Sequence, residues 1–328
     1  MSEIRDSIEA EFSVPEEASG MRLDQVAAQL LPAHSRSRIQ GWIKSGELTV
    51  NGNTRKPRDK VLVNDRIVIR ATVVGDDRWE PEAIALDILY EDEHLIIINK
   101  PPGLVVHPAA GHADGTLVNA LLHHAPELDH LPRAGVVHRL DKDTSGVMVV
   151  ARSLTAHTSL VEQLQARTMG REYEAVVIGV PTGGGTVDAP LGRHPNHRKK
   201  MAVVRDGKPA VTHYRLLHRY SGHSHIRCKL ETGRTHQIRV HMAHVNHPLV
   251  GDPVYGPGPR PPKRADEEII GALRQFRRQA LHARLLTLVH PETGETCSWE
   301  SPLPADMESL LQALSDFDER LKAEDAGT

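Results

Sequence analysis

The sequence predicts an α+β protein: a small α/β module followed by a larger domain with a mixed, mainly antiparallel sheet. Three observations carry this. Residues 21–70 run as helix, basic helix, strand, Asn-Gly turn and strand. From Leu86 onward, short β-rich runs outnumber helical ones and are joined by short turns. The regular strand–helix alternation that builds a parallel sheet is missing. A chain of 328 residues is long enough for about two or three such units.

Taken in order, residues 1–19 read as an acidic N-terminal arm, and a module follows over 20–75. In it "MRLDQVAAQLL" has apolar positions at helical spacing, and "SRSRIQGWIKSGEL" makes a second amphipathic helix starting near Ser35. "LTVNGN" then turns through Asn51 and Gly52 toward the strand "DRIVIR". The acidic stretch 76–85, with Pro81, reads as a linker. In the larger domain, 86–305, strands are expected at "GVMVVA", "EYEAVVIG", "VTHYRLLHR" and "HIRCKLE", with a late hairpin in "HARLLTLVHPETGETCSWE". Helices are expected at "LTAHTSLVEQLQART", near "THQIRVHMAHV" and at "EIIGALRQFRRQ". "TGGGTVD" reads as a flexible turn, "GPGPRPPKR" as a Pro-rich loop, and 306–328 as an acidic tail.

Charge is segregated rather than uniform. The chain has 40 Lys plus Arg against 43 Asp plus Glu, a formal net charge of -3. Yet His34–Arg70 holds nine Lys/Arg and three Asp/Glu, and Arg193–His241 holds twelve and two, with eight His besides. Basic patches between acidic flanks suit a polyanion partner; without accompanying chemistry, two solvated charged faces would explain them as well. The two cysteines, Cys228 and Cys297, have no metal-ligand spacing and suit a reducing compartment. An acidic N-terminus and the lack of an apolar run near the roughly 18 residues of a bilayer span lead to the expectation of a soluble cytoplasmic protein.

The densest chemistry lies in "HRLDKDTSG", residues 138–146. Asp141 is either a solvated turn acid or a carboxylate held in a cleft by a cation, and composition does not separate the two. "TGGGTVD" lacks the lysine and spacing of a phosphate loop, and no dinucleotide fingerprint occurs. "HQIRVHMAHVNH" raises a metal reading through His236, His241, His244 and His247. Only 241 and 244 share a helix face, so no metal is expected there, and His236 and His241 are expected to bond core backbone or RNA.

"HRLDKDTSG" resembles the catalytic motif of RNA pseudouridine synthases of the ribosomal large-subunit class. "NKPPGLVVHP", "REYEAVVIG", "LETGRTHQIRVHMAHVNHPLVGD" and "RQALHARLLTLVHP" follow in the same family's order, and residues 21–70 resemble an S4 RNA-binding domain. The resemblance covers roughly 20–305 and implies the pseudouridine synthase fold. It implies an isomerase of uridines in 23S ribosomal RNA that flips its target base, uses no cofactor or metal, and is expected to be a monomer. It makes Asp141 the catalytic carboxylate, Tyr173 the tyrosine facing uracil and Arg239 the arginine that keeps the carboxylate ionised, since a guanidinium nearby favours that form. Arg139 is expected to contact RNA near the flipped base, Arg234 to contact backbone phosphate, and Arg36, Arg38 and Lys44 to carry the RNA face of the S4-like module. Asp143 is left a structural role. Two other classes compete: a noncatalytic S4-domain RNA-binding protein and a metal-dependent hydrolase built on the histidines. Replacing Asp141 discriminates the first, and chelation the second.

Overall fold

The computed structural model describes residues 6–31, 36–73, 79–108, 114–197 and 200–326. The chain divides into two compact units, 1–78 and 79–328.

In the first unit, strand β1 (Asp6–Ser13) is followed by helices α1 (Leu23–Leu30) and α2 (Arg36–Ser45) and strands β2 (Leu48–Val50) and β3 (Arg66–Val73). The antiparallel sheet has the order β1-β3-β2. Ile39, Trp42 and Ile43, at the i, i+3, i+4 spacing of one helical face, pack with Leu23, Val26, Leu48, Ile67 and Ile69 into one core. The structure differs from the sequence reading at 1–19: residues 6–13 of the acidic arm form an edge strand. The reason is its period of two. Ile8, Ala10 and Phe12 pack on the core, while Glu9 and Glu11 pair with Arg70 and Arg66 of β3.

In the second unit, β4 (Ile88–Glu91) and β5 (Leu95–Lys100) precede α3 (Leu117–His124), β6 (Ser145–Ala151), α4 (Leu154–Ala166) and β7 (Gly170–Ile178). β8 (Gly185–Asp188), β9 (Leu191–Arg193), β10 (Met201–Val203), β11 (Val211–Tyr220) and β12 (His223–Leu230) follow. The chain ends with α5 (Gln237–His244), α6 (Glu267–Gln275), β13 (Leu281–Val289), β14 (Thr296–Glu300) and α7 (Ala305–Ala326). The main sheet runs β4-β5-β6-β13-β7-β12-β11-β8, with β14 also pairing β13. It is antiparallel except between β6 and β13, which are parallel at Ser145 and Gly146. Gly185–Asp188, part of the expected flexible turn, instead pairs with β11 as a strand.

Two further segments differ from their sequence reading. Residues 79–85 of the expected linker are fastened to the second unit: Asn119 donates to the Glu80 carbonyl at 2.7 Å, its carbonyl accepts from Glu82 N at 3.0 Å, and Trp79 packs on the main core. The expected acidic tail is a helix. Its Met307, Leu310, Leu314 and Phe317 recur on one face and bury against Val176, Ile269, Leu273 and Phe276. No helix among the described residues is long and apolar enough to cross a membrane.

Candidate active site

The loop carrying Asp141 is fixed before any substrate arrives. On its C-terminal side, Ser145 and Gly146 dock onto β13. Ser145 Oγ lies 2.9 Å from His282 Nδ1, and His282 Nε2 donates to the Ser301 carbonyl at 3.1 Å, so Nδ1 is the acceptor of the serine hydroxyl. Gly146 is at φ 114°, and a Cβ there would lie 2.1 Å from the Ala283 carbonyl oxygen. Only glycine allows β6 to approach β13 this closely. The loop's own carbonyls are gripped by two basic side chains. Lys100 Nζ, fully buried, donates to Lys142 O at 3.0 Å and also to Pro101 O and Leu104 O. Arg278 Nη1 donates to Asp143 O at 3.0 Å while its other nitrogens hold Asp306 at the start of α7. Gln279 reaches Thr144 Oγ1 at 3.1 Å. His138, at the loop's N-terminal side, accepts from Val149 N, and burial pushes its imidazole down to about 3, so it stays neutral.

Arg239 enters from α5. Its Nη1 donates to Asp141 Oδ2 at 2.9 Å, while Nε and Nη2 bind Asp252 at 2.7 and 2.9 Å. Asp252 also accepts from Val254 N and Tyr255 N. Burial alone would raise the Asp252 carboxyl, but the Arg239 bonds and charge and the two amides outweigh it and hold it below the usual range. Burial opposes the guanidinium charge, and the two carboxylates more than compensate, raising its pKa. The fork is further packed on the Tyr255 ring, 5.1 Å from its centroid. One oxygen of Asp141 is therefore held. The other, Oδ1, faces His236 Nε2 at 3.8 Å, with 17 % of the side chain exposed.

Tyr173 lies mid-strand in β7, opposite Cys228 and Ala283, and is nearly buried. Burial raises its phenol; the Arg171 charge opposes this and the Asp141 charge adds to it. Arg139 is exposed, and its charge acts with that of Arg133 on His107, which burial pushes down to about 4. Arg234 is placed differently. It donates from Nε to the Pro209 carbonyl at 3.2 Å and from its backbone N–H to Gln237 Oε1 at 3.0 Å, bonds that do not use its two terminal nitrogens. Arg38 and Lys44 lie on α2 of the first unit, with Lys44 exposed; the side chain of Arg36 lies outside what the structure describes, as do Arg198 and Lys199 of the basic segment. His241 uses both ring nitrogens within the core, on Thr212 Oγ1 and the Ala189 carbonyl, each at 2.9 Å. Among the described residues no group of three or more His, Cys, Asp or Glu is arranged to hold a metal ion.

Lys100, Asp252, Tyr255 and Arg278 escape sequence reasoning. Lys100 and Asp252 lie inside the stretches "NKPPG" and "LVGD", yet nothing local says that one seals a loop 42 residues away and the other orients an arginine 13 residues back.

A protein-family model described as RNA pseudouridylate synthase matches residues 94–244, and an S4 domain model matches 21–67. The ribosomal large subunit pseudouridine synthase D of Pseudomonas aeruginosa is 60 % identical over 309 residues, covering 94 % of this chain and 97 % of that protein. The chain belongs to the RNA pseudouridine synthase family. The synthase of the same name from Escherichia coli K12 is 56 % identical, with 94 % and 95 % covered. Among solved structures, human RNA pseudouridylate synthase domain containing 4 superposes with a TM-score of 0.55 at 29 % identity, over 70 % of this synthase and 92 % of that chain. Human RNA pseudouridylate synthase domain containing 1 gives 0.52 at 26 %, over 71 % and 96 %. An RNA pseudouridine synthase preceded by an S4 domain is thus an enzyme that acts on RNA.

Proposed function

We propose that this synthase converts specific uridines of 23S ribosomal RNA to pseudouridine, with Asp141 as its catalytic carboxylate. The substrate follows the relatives' printed names. The observation that carries the chemistry is the shared guanidinium: Arg239 holds one oxygen of Asp141 and leaves the other without a hydrogen bond among the described residues. The reaction breaks the N1–C1′ bond, turns the uracil over and joins C5 to C1′. Whether a carboxylate engages C1′, C6 or a ribose proton, it must be aimed, and the hydrogen bond from Arg239 does this. Tyr173 faces the base and takes part in removing the C5 proton after the new bond forms. Arg139 fills or braces the gap left by the flipped base, while Arg234 and α2 of the S4 unit, through Arg36, Arg38 and Lys44, hold phosphates. The enzyme works as a cytoplasmic monomer without a small-molecule cofactor.

Pseudouridine mapping at nucleotide resolution tests this. Cells lacking the protein should lose particular sites in 23S RNA, wild type should restore them, and Asp141→Asn should not, although it still binds the RNA. An unchanged map removes the ribosomal assignment; an active Asp141→Asn removes the carboxylate.

A further inference from the structure

His236 is the N-cap of α5 and takes a left-handed backbone, φ 57°, rare for a residue with a side chain. Its side chain does not cap the helix. The turn is held instead by Gln237, whose Oε1 accepts from Arg234 N and Thr232 Oγ1 and whose Nε2 donates to Val211 O and Thr212 Oγ1. The left-handed backbone thus sets a partly exposed imidazole beside Asp141 rather than on the helix end.

The tautomer of that imidazole follows from its neighbours. Tyr255 Oη accepts from Met201 N at 2.9 Å and lies 2.8 Å from His236 Nδ1. A phenol has one proton, and among the described residues Nδ1 is the only acceptor within reach of it, so Tyr255 donates that proton to Nδ1. Nδ1 is then an acceptor, and the ring proton of the neutral imidazole is on Nε2. Burial lowers the imidazole's pKa; the Asp141 and Asp252 charges oppose this and the Arg239 and Arg139 charges add to it, which favours the neutral form. Nε2 has no hydrogen-bond partner among the described residues and lies 3.8 Å from Asp141 Oδ1, too far for a bond and close enough to share a ligand atom.

We propose that His236 is a catalytic N–H donor to the target uridine, its proton held on Nε2 by Tyr255, and that it bonds the uracil carbonyl beside the breaking glycosidic bond. In every route the electron pair of N1–C1′ passes to the uracil, whose charge spreads from N1 to the adjacent O2. Arg239 is committed to two carboxylates. A neutral donor at the edge of the carboxylate can take the developing oxyanion without placing a second cation beside Asp141. When C5 attacks C1′, a ring electron pair becomes the new C–C bond, the charge on O2 falls and the hydrogen bond weakens; the C5 proton then leaves to a base and N1 takes a proton from water, so His236 keeps its own. This inference rests on Asp141 being the catalytic carboxylate.

The test is single-turnover pseudouridine formation with a 23S RNA fragment, with RNA affinity measured separately. His236→Leu should slow the chemical step about tenfold to a hundredfold while RNA affinity moves less than about threefold. His236→Gln, whose amide can reach the Nε2 position, should recover much of that loss. Tyr255→Phe should slow the wild type by several-fold yet have no further effect in the His236→Leu background, because it acts through the imidazole. A structural role for Tyr255 would persist in that background and overturns the relay. Equal loss in Leu and Gln, or a Leu variant at wild-type rate, overturns the donor. Asp141→Asn run alongside separates the two failures: if it is inactive while His236→Leu is not, the donor fails and the carboxylate reading stands.

Discussion

Asp252 clamps Arg239 through two parallel hydrogen bonds, 2.7 Å to Nε and 2.9 Å to Nη2, with its own side chain wholly buried. This fork leaves Nη1 as the nitrogen that meets Asp141. A bidentate pair fixes the plane of a guanidinium, which a single contact does not. Asp252→Asn keeps the shape but removes a charge beside a buried cation. It should destabilise the second unit by about 3–5 kcal/mol and lower the single-turnover rate by more than the fraction unfolded explains. Urea denaturation with parallel rate measurements checks both; full activity in folded Asp252→Asn would show that Asp141 needs no oriented guanidinium.

Lys100 gives the stability a proton-linked component. Burial pushes its ammonium from 10.5 down to about 7, against the opposing charges of Asp143 and Asp141. The unfolded lysine keeps its proton to about pH 10.4, so between pH 7 and that limit the unfolded chain binds more protons than the folded one. Stability from this group therefore rises with pH across that window, and below pH 7 the full penalty of burying the charge is present. Lys100→Met should remove this slope while lowering stability overall, since three carbonyls lose their donor. Urea midpoints of both proteins from pH 6 to 10 measure the difference. Parallel curves would mean that Lys100 keeps its proton throughout.

Much of this architecture is legible locally. The alternation in "SIEAEF" and the i, i+3, i+7, i+10 stripe of Met307, Leu310, Leu314 and Phe317 are visible in the sequence, but acidic residues between them suggested an arm and a tail. Exposed charge says only which face is wet, not that the other face lacks a partner. Ordered motifs, not periodicity, single out Asp141, Tyr173 and Arg239 as candidates. The supports of the site were not found, because each is a long-range convergence: Arg278 meets the Asp143 carbonyl across 135 residues, and Ser145 meets His282 across 137. His236 was expected to bond core backbone or RNA. Its distance to Asp141 depends on the left-handed turn into α5, which no spacing rule reports.

Gly146 is where loop geometry and sheet packing meet. At φ 114° a side chain is strained, and a Cβ would lie 2.1 Å from Ala283 O and 2.6 Å from Ala283 N. Both contacts are backbone in the middle of a sheet, so neither can swing away. Gly146→Ala should destabilise by about 2–5 kcal/mol, combining a forbidden φ with overpacking. Thermal or urea unfolding would show it, and a loss under about 1 kcal/mol would mean that β6 and β13 can part without harm.

Phe317 tests whether the C-terminal helix is structural. It is 2 % exposed and packs with Met307, Leu310 and Leu314 against α6 and Val176 of β7. Val176 shares its strand with Tyr173, and Asp306, at the head of the same helix, anchors Arg278 to the loop of Asp141. Truncating a buried phenylalanine removes its transfer free energy and leaves a cavity, so Phe317→Ala should cost about 3–5 kcal/mol. A solvated acidic tail would show no change in the urea midpoint. If the helix also steadies the site, Asp306→Ala should leave most of the stability intact, because that carboxylate is half-exposed. It should nevertheless slow the reaction several-fold, since Arg278 loses the anchor that aims it at the Asp143 carbonyl. A rate loss that exceeds the stability loss identifies positioning, and equal losses would reduce the helix to a cover for the sheet.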